Sequence, residues 1–423
     1  MKTPTRKTIR TVIIGAGFGG LGVALHLARY ARRHPEHEVI LIDRRNYHLL
    51  QGKLPEVAAG HVAPEEVMIP LAGLLRRRAI AFCQAQVLDV DFARRAVRTD
   101  QGLIAYDRLV IAVGSTTAFY NMPGLEEHTL TLKSVGDALA ISAAMDLQVT
   151  AAAHEPDPGR RRTQLTFIVG GGGWSGVEIA AELAERAAAL SAAYGLSPDE
   201  SRIVIVEAAP TLLPGSDPWL INTVTRALKA TGVEVHCGLP VTGAQAGRLL
   251  LADGSNVEGG LIIWTGGVRA RPVEDANVLL RGQANRIVVD PTLAVPGHPE
   301  IYVVGDAAWV MDPRRGAPTA PSAQLALQQG EHVARNILAD LENRPRRAYR
   351  PHLKGVLISL GRRSGAAIVA RFRFGGRAAR WLKRLNDYRY LFIIGALGWR
   401  WGLWHRPDAR RRLEPAPASA ARR

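Results

Sequence analysis

The chain has 423 residues, of which 47% are hydrophobic and 22% charged, the balance of an ordinary globular protein. At roughly 100–200 residues per domain, this length predicts two or three domains. The 2 cysteines exclude a disulfide framework or a cysteine-rich metal centre, and we predict no metal site. No uncharged apolar stretch reaches the roughly 18–20 residues of a membrane-spanning helix.

The net charge of +16 is concentrated at the two ends of the chain. Residues 1–10 carry +4, and residues 371–423 carry +11 from 14 basic and 3 acidic residues, which leaves +1 for residues 11–370. A basic end beside a neutral body is typical of a protein on an anionic lipid surface, and a solvated tail is the open alternative. We expect no nucleic-acid binding, because the body lacks interleaved basic and aromatic strands.

The first residues resemble a secretory signal, since a basic stretch precedes an apolar run at 11–14. Clustered glycines interrupt that run, and no Ala-x-Ala cleavage site follows. We therefore expect mature first residues and a cytoplasmic protein.

The first unit of the chain reads as strand, turn, helix and strand. A strand at 11–14 precedes a glycine-rich turn at 15–20, a helix to about 33 and a strand at 38–42 that ends on Asp43. This pattern predicts a βαβ unit with its glycines at the first turn. A later strand at 106–113 leads into Gly114.

A second unit repeats the first after a polar segment, 154–163, that we interpret as a linker. Its strand, turn and helix occupy 164–169, 171–176 and 177 to about 193, and the next strand ends on Glu207. A third region contains a strand ending on Gly305-Asp306 and a predicted helix from 320 to 339.

Both turns have the spacing Gly-x-Gly-x-x-Gly, and each glycine has its own task. The first permits the tight turn, the second lets the backbone approach a pyrophosphate, and the third lets the helix pack on the strand. The pyrophosphate then lies at the helix N-terminus, where free N–H groups favour an anion. The glycines are Gly15, Gly17 and Gly20 in the first copy and Gly171, Gly173 and Gly176 in the second.

An acidic residue ends the second strand of each unit, where it can bind both hydroxyls of a ribose. Glu207 also repels a 2′-phosphate, which favours NADH over NADPH. Arg44 and Arg45 follow Asp43 and either bind the first nucleotide or form a solvated turn. Two dinucleotide sites indicate two dinucleotides, and the simplest pair is FAD and NADH.

The order of these motifs resembles the two-dinucleotide-binding-domain flavoproteins. In that family the first site holds FAD, the inserted second site holds the nicotinamide, and a late Gly-Asp pair, here Gly305-Asp306, binds the ribityl chain. The resemblance implies an α/β fold of two Rossmann-like domains. It also implies cofactor contacts at Gly19, Arg44, Val87, Gly114, Gly266 and Ala323.

Within that family the chain is most similar to the type II, non-proton-pumping NADH:quinone oxidoreductases. The segments that carry this likeness are 47–51, 56–60, 123–129, 132–134, 176–178 and the Ala-Gln-x-Ala-x-Gln-x-Gly helix at 323–330. The resemblance covers about residues 10–370. The chain departs from the usual Gln-Pro-Leu-Leu-Tyr at 51–55, which reads Gln-Gly-Lys-Leu-Pro, and its C-terminal segment is short and Arg-rich.

The resemblance also assigns candidate catalytic residues. Glu178 follows the second turn and is directed by the family likeness towards the flavin–nicotinamide junction; the alternative is a helix-terminal acid stabilised by the dipole. Gln324 and Gln328 share one helix face and can hydrogen-bond a quinone carbonyl, or simply form a polar face. His48 is a further candidate, although a lone histidine is more often structural.

The cysteines argue against related enzymes that use a redox pair. Cys83 and Cys237 are 154 positions apart, and each lies in a strand-like run. Buried structural thiols are therefore expected, which also weakens a sulfide:quinone reductase hypothesis.

The C-terminal segment predicts a basic amphipathic helix lying in the headgroup plane. Its apolar side would hold Trp381, Leu385, Tyr388 and Phe392, and its other sides Arg377, Arg380, Lys383 and Arg384. Trp399, Trp401 and Trp404 would add an interfacial belt, and 415–423 would be disordered. The alternative is a helix packed on the body or on a second subunit, so a homodimer stays possible.

The predicted organisation is an FAD domain (1–155), an inserted NADH domain (156–285), a return to the FAD domain (286–370) and a basic membrane-associating region (371–423). The predicted function is transfer of electrons from NADH through FAD to a membrane quinone at the cytoplasmic face of the cell membrane. Two alternatives are a soluble reductase of a small redox protein, bound by charge complementarity, and a redox-sensing regulator.

Overall fold

The computed structural model describes residues 8–274 and 279–400. The α-helices are α1 (Phe18–Ala31), α2 (Leu54–Ala58), α3 (Leu71–Leu75), α4 (Leu125–His128), α5 (Val135–His154), α6 (Pro158–Gln164), α7 (Trp174–Ala193), α8 (Pro218–Ala230), α9 (Ala323–Leu341), α10 (Gly376–Ile394) and α11 (Leu397–Arg400). Short 3₁₀ turns lie at Gln51–Lys53, Pro64–Glu66, Pro198–Glu200, Gln283–Asn285 and Gly305–Ala307.

The β-strands are β1 (Ile9–Ile14), β2 (His37–Asp43), β3 (Tyr47–Leu49), β4 (Met68–Pro70), β5 (Ala81–Gln84), β6 (Val87–Asp91), β7 (Ala96–Thr99), β8 (Gly102–Ala105), β9 (Arg108–Ile111), β10 (Ser115–Thr117), β11 (Thr166–Gly170), β12 (Arg202–Glu207), β13 (Val233–Cys237), β14 (Val241–Gln245), β15 (Arg248–Leu251), β16 (Asn256–Glu258), β17 (Leu261–Trp264), β18 (Val268–Ala270), β19 (Ile287–Val288), β20 (Ala294–Val295), β21 (His298–Val303), β22 (Ala308–Trp309), β23 (Met311–Asp312), β24 (Ala317–Pro318), β25 (Gly355–Leu360), β26 (Ser364–Val369) and β27 (Phe372–Gly375).

The first sheet has six strands in the order β20-β21-β9-β1-β2-β5. Its strands are parallel except for the edge pair β20–β21. Strand β1 is a continuous apolar run from Val12 to Ile14, as expected for a strand covered on both faces. Strand β21 joins this sheet from far along the chain, so the chain leaves the sheet after β9 and later returns.

The second sheet has four parallel strands in the order β13-β12-β11-β17. It repeats the centre of the first sheet, because β11 lies between its two neighbours as β1 lies between β2 and β9. Helix α7 follows β11 as α1 follows β1. The predicted fold class, two Rossmann-like units in one chain, is confirmed.

Two local predictions differ from the structure. The segment 154–163 is not an open linker, because α5 ends at His154 and α6 begins at Pro158. The Asp157 side chain caps α6 by accepting from the Arg160 N–H at 2.7 Å, which explains how a polar, charged segment becomes helical.

The predicted boundary at 370/371 falls inside a third sheet, β25-β26-β27. This antiparallel sheet packs against α10, α7 and α8. It therefore attaches the C-terminal helix α10 to the second glycine unit. Within the described residues, no helix combines the length and the apolar character that crossing a bilayer requires.

Candidate active site at the two glycine turns

The first glycine turn connects β1 to α1. Gly15 has φ +103°, a conformation that L side chains rarely adopt, and its N–H donates to the Ile42 carbonyl at 2.7 Å. A Cβ at Gly20 would overlap the Gly15 carbonyl oxygen, whereas a Cβ at Gly17 would meet nothing within 4 Å. Two glycines are thus required by the protein itself, and the space beside Gly17 is open to a ligand.

The second turn repeats this geometry between β11 and α7. Gly171 has φ +105° and donates to the Val206 carbonyl at 2.7 Å. A Cβ at Gly176 would overlap the Gly171 carbonyl oxygen, and a Cβ at Gly173 would again meet nothing within 4 Å. The two helix N-termini therefore present equivalent anion sites.

The two acids at the strand ends make the same contacts. Asp43 accepts from the N–H groups of Ala16 and Arg45, both at 2.8 Å. Glu207 accepts from the Gly172 N–H at 2.6 Å and the Ala209 N–H at 2.8 Å. Each carboxylate is thus held by one N–H of its glycine turn and by the N–H of the residue two positions further along the chain. Its remaining lone pairs can accept from ribose hydroxyls.

The two strand-to-glycine crossovers meet each other. Strand β10, directly after Gly114, pairs antiparallel with β18, directly after the Gly266 turn. The Arg271 N–H donates to the Gly114 carbonyl at 3.0 Å. A Cβ at Gly114 would meet nothing within 4 Å, but a Cβ at Gly266 would overlap the Trp264 ring. Gly114 is therefore a candidate for ligand contact, and Gly266 is needed for packing beside one.

The Gly305-Asp306 pair lies at the end of β21, facing the start of α9. The Gly305 N–H donates to Oε1 of the buried Gln329 at 2.7 Å, and Asp306 accepts from the Ser115 hydroxyl at 2.7 Å. Ala323 is the first residue of α9. The first turn, Gly114, Asp306 and the α9 N-terminus thus belong to one unit around the first sheet.

Val87 lies at the start of β6, two residues after Ala85, whose N–H donates to the Asp43 carbonyl at 3.1 Å. The chain therefore passes the end of β2 two residues before Val87. Gly19 faces Val304 instead, since a Cβ there would approach the Val304 Cγ2 to 2.9 Å. Gly19 therefore serves packing within the first unit.

Basic groups collect around the first turn, and two of them were missed by sequence reasoning. Arg271 is partly buried, and its charge interacts with those of Arg44 and Arg45; burial is the largest cause that lowers its pKa. Burial also lowers the pKa of Lys133, while the charge of Asp306 opposes that shift. The Arg45 Nε is buried and has no hydrogen-bond partner in the described part of the chain, because the Asp43 carboxylate with which it is ion-paired lies 3.7 Å away. An anionic group fits this place.

Glu178 lies in the first turns of α7 and is buried. Its Oε1 accepts from the Ser359 N–H and hydroxyl, both at 3.0 Å, and from Lys383 Nζ of α10. Lys383 Nζ also donates to the Ser359 hydroxyl at 2.7 Å. Sequence reasoning assigned Lys383 to a lipid-facing helix, yet it is buried against Glu178, since α10 folds back onto β25 and α7.

Gln324 and Gln328 do share one face of α9. Gln328 donates to the His352 carbonyl at 2.7 Å and accepts from its N–H at 3.2 Å. Gln324 accepts from the Lys354 N–H at 2.8 Å. Both amides therefore hold the segment before β25, and a quinone carbonyl would have to exchange with these backbone partners.

His48 connects the first turn to α10. Its Nδ1–H donates to the Ala16 carbonyl at 2.8 Å, and its Nε2 accepts from the Tyr390 hydroxyl at 2.7 Å. Burial lowers the pKa of His48 to about 4 and raises the pKa of Tyr390. His48 is thus neutral and hydrogen-bonded at both ring nitrogens, which is the structural role that we predicted from the sequence.

The departure at 51–55 contacts the C-terminal helix. Lys53 Nζ lies 3.1 Å from Asp387 and 3.3 Å from Glu56, and Arg380 of α10 donates to Glu56 at 2.7 Å. The positive charge of Lys53 is therefore compensated by the Asp387 carboxylate on α10. These groups line a cavity of about 390 Å³ between α2 and α10.

The outer face of α10 is apolar and exposed, as predicted. Trp381 is 61% exposed and Phe392 is 71% exposed, and Leu385 and Tyr388 lie on the same side. Trp399, in contrast, is only 8% exposed, so it belongs to the core and not to an interfacial belt. Trp401, Trp404, the stretch 415–423 and the first seven residues lie outside the described residues.

Comparison with known proteins identifies the family. Residues 9–330 match the family model "Pyridine nucleotide-disulphide oxidoreductase". A type II NADH:quinone oxidoreductase of Staphylococcus aureus is 31% identical over 396 residues, covering 92% of this chain and 96% of that protein. The chain belongs to the type II NADH:quinone oxidoreductases.

Solved structures share the fold of this oxidoreductase. NDH2 from Plasmodium falciparum, solved in complex with NADH, has a TM-score of 0.80 at 18% identity, covering 93% of this chain and 96% of that one. A sulfide:quinone oxidoreductase from Aquifex aeolicus has a TM-score of 0.75 at 19% identity, covering 91% of each chain. In this type II enzyme Cys83 and Cys237 are free thiols on β5 and β13, in two different sheets, and both are only partly buried, so the expectation of buried thiols is wrong in degree.

Proposed function

We propose that this protein is an FAD-dependent NADH:quinone oxidoreductase that passes two electrons from NADH to a membrane quinone without pumping protons. The observation that carries the proposal is the repeated glycine turn, with Asp43 and Glu207 in equivalent hydrogen bonds. The β10–β18 ribbon joins the crossovers of the two units, so the two dinucleotide sites adjoin.

The residues around the first turn fit FAD. Gly17 and Gly114 leave open space, and the Arg45 Nε, which lies 3.7 Å from Asp43 without a hydrogen bond, can donate to a pyrophosphate oxygen. When bound, FAD supplies hydride acceptance from NADH and electron transfer to the quinone. The turn residues bind the pyrophosphate, Asp43 binds the ribose, and Asp306 binds the ribityl chain. The second turn and Glu207 hold NADH.

Conversion of a quinone to a quinol consumes two protons. Glu178 is the carboxylate that this chain offers for that proton transfer, and Lys383 and Ser359 fix its Oε1. Gln324 and Gln328 orient the segment that leads into β25, which carries Ser359, and a quinone carbonyl would exchange with the backbone partners of these two amides. Lys383 and Ser359 are positioning residues in this scheme.

The test compares electron acceptors. Purified protein should contain one FAD per chain and oxidise NADH rapidly with ubiquinone or menaquinone analogues. It should oxidise NADH only slowly when a small soluble redox protein is the electron acceptor. Fast reduction of the soluble protein and slow reduction of both quinones would support the soluble-reductase alternative, and slow turnover with every acceptor would support a regulator.

Nucleotide choice depends on Glu207. We expect a strong preference for NADH in kcat/KM, because the carboxylate repels a 2′-phosphate. Glu207→Gln should narrow that preference by roughly 10–150-fold, the loss of about 1.5–3 kcal/mol from one charged hydrogen-bonding partner. Equal use of NADPH by the unchanged enzyme would contradict this role.

We further propose that the exposed face of α10 binds anionic lipid, which places the enzyme at the cytoplasmic face of the membrane. The apolar stripe supplies buried area, and basic residues add about 1 kcal/mol each near the surface. Arg380 and Lys383 are ion-paired inside the protein. The attraction to anionic lipid therefore comes from exposed residues such as Arg377 and Arg384.

Point substitutions test this better than truncation before Arg377, which would also remove Lys383. Trp381→Ser/Phe392→Ser should abolish binding to anionic vesicles and slow turnover with a long-tailed quinone, but not with a water-soluble analogue. The matched control is Leu103→Ser, which is 70% exposed on β8. If the double variant instead changed only the oligomeric state, α10 would be a homodimer interface.

A further inference from the structure

Three side chains that the redox scheme does not use lie together behind the cavity between α2 and α10. His61 follows α2, and Glu182 and Glu185 lie on α7, three residues apart. One donor atom from each residue lies within 4.8 Å of the other two. We propose that His61, Glu182 and Glu185 form a binding site for a divalent transition-metal ion of the Zn²⁺ class.

The burial of Glu182 is the observation that calls for a cation. Its residue is 0% exposed, and its Oε2 lies 2.6 Å from Nδ1 of His61. Its Oε1 is buried and has no hydrogen-bond partner in the described part of the chain. A buried carboxylate with one orphaned oxygen is costly unless a charge compensates it.

No lysine or arginine in the described part of the chain supplies such a charge, and the His61 imidazole that lies 2.6 Å from Glu182 carries one only when it is protonated. Among the described residues, no Lys or Arg lies within 4.0 Å of the carboxylate of Glu182 or Glu185. Arg186, one turn further on α7, is bound to Asp146 and to the Ala59 carbonyl. The acids at the cavity rim differ, since Glu56 is paired with Lys53 and Arg380.

The donor set determines the class of ion. One imidazole and two carboxylates suit Zn²⁺ and similar first-row divalent ions, with water completing the shell. Glu185 Oε1 accepts from the Arg362 N–H at 2.9 Å, an outer contact that fixes this ligand. His61 also lines the cavity of about 390 Å³, which gives the ion an entry path.

A bound ion would connect three parts of the molecule. His61 belongs to the loop after α2, the two carboxylates belong to α7, and Arg362 belongs to the turn between β25 and β26. Glu178 lies one helical turn before Glu182 on α7, so the ion would also add positive charge near the proposed proton-transfer group.

The test uses the full-length, FAD-loaded protein after removal of metal with a chelator. Titration with Zn²⁺ in isothermal calorimetry should give one ion per chain, and saturating Zn²⁺ should raise the Tm. His61→Ala and Glu182→Gln should each weaken binding by at least the roughly 10–100-fold that loss of an outer-shell partner costs, and should abolish the Tm shift. X-ray absorption should report nitrogen and oxygen ligands without sulfur.

The matched control is His236→Ala, because the exposed His236 has its Nε2 3.8 Å from the Glu234 carboxylate, which is already ion-paired with Arg202. This variant should bind Zn²⁺ like the unchanged protein. Flavin content and circular dichroism verify folding, and Glu185→Gln, at a partly exposed position, provides a second test if Glu182→Gln fails to fold. Stoichiometric binding that survives both His61→Ala and Glu185→Gln, or no binding below millimolar Zn²⁺, would overturn the proposal.

Discussion

Helices α1 and α7 begin on the same turn and then serve different purposes. Counted from Gly15 and Gly171, Glu178 of α7 corresponds to Gly22 of α1, and Glu182 corresponds to His26. In α1 this face packs closely on α9, where a Cβ at Gly22 would lie 3.7 Å from the Leu327 carbonyl oxygen. In α7 it carries carboxylates that bind groups of α10 and of the loop after α2.

The difference shows which part of a dinucleotide-binding unit is constrained. The turn is fixed by positive φ and by contacts shorter than a Cβ allows, so both copies keep their glycines. The rest of each helix is constrained only by the elements that pack against it. The second copy was therefore free to place acids on its inner face, where Glu178 binds Lys383 of α10 and Glu182 binds His61 of the loop after α2.

The largest expected effect comes from filling the open space at one glycine turn at a time. Gly17→Val and Gly173→Val both place side chains in space that is empty of protein, so both variants should fold. Gly17→Val should lose FAD and all activity, because the pyrophosphate cannot approach. Gly173→Val should keep FAD but raise the KM for NADH by about 100-fold or more. Flavin absorbance and steady-state kinetics measure both.

Each of these variants is the control for the other. Loss of FAD from Gly173→Val, with Gly17→Val retaining it, would show that the cofactors are assigned to the wrong turns.

The next effect concerns the face of α7. Glu178→Gln should slow quinone reduction by roughly 10²–10⁴-fold, the usual contribution of a positioned acid or base, and leave flavin reduction by NADH unchanged. Stopped-flow measurement of the two half-reactions separates these steps. His26→Gln on α1 is the matched control and should change neither rate. Equal slowing of both half-reactions would indicate damage to the fold instead of lost proton transfer.

The two turns should also differ in their response to acid. The Ala16 carbonyl of the first turn is held by His48, whereas the Gly172 carbonyl of the second accepts from the Leu213 N–H at 2.9 Å. Burial lowers the pKa of His48 to about 4, so the folded state keeps it neutral while the unfolded chain binds a proton near pH 6.5. Its contribution to the unfolding free energy is complete above pH 6.5 and is lost as the pH falls towards 4.

That loss amounts to about 3 kcal/mol, from 1.36 kcal/mol per pKa unit and a pKa lowered from 6.5 to about 4. Denaturant unfolding at several pH values should show a shallower acid slope for His48→Gln than for the unchanged protein. His37, also buried with its pKa lowered to about 4, supplies a separate slope that the variant should keep. An unchanged slope would remove His48 as the cause.

The smallest effect tests the α1–α9 contact. A Cβ at Gly330 would overlap the Gly19 carbonyl oxygen, so Gly330→Ala should lower the unfolding free energy by about 1–3 kcal/mol. Gly22→Ala lies in the same interface but meets only ordinary contacts, and it should be neutral or slightly stabilising because alanine favours helix. Equal destabilisation by both would mean that this interface tolerates no added volume at all.

The sequence alone determined the features that depend on neighbouring residues. The two glycine turns, the strands ending on Asp43 and Glu207, and the exposed stripe of α10 follow from local spacing and periodicity, and the structure confirms them. The polar segment 154–163 was mispredicted, because a capping Asp157 makes the helix α6 of what composition describes as a linker.

Only the tertiary structure decided which elements pack against each other. Lys383 and Arg380 read as lipid-facing charges along the chain, but α10 folds back so that they bind Glu178 and Glu56 from more than 200 positions away. The meeting of His61 with Glu182, and of Arg271 with the first turn, is equally non-local. Helical periodicity fixes which residues share a face, but it carries no information on the element that covers that face, because long-range packing selects it.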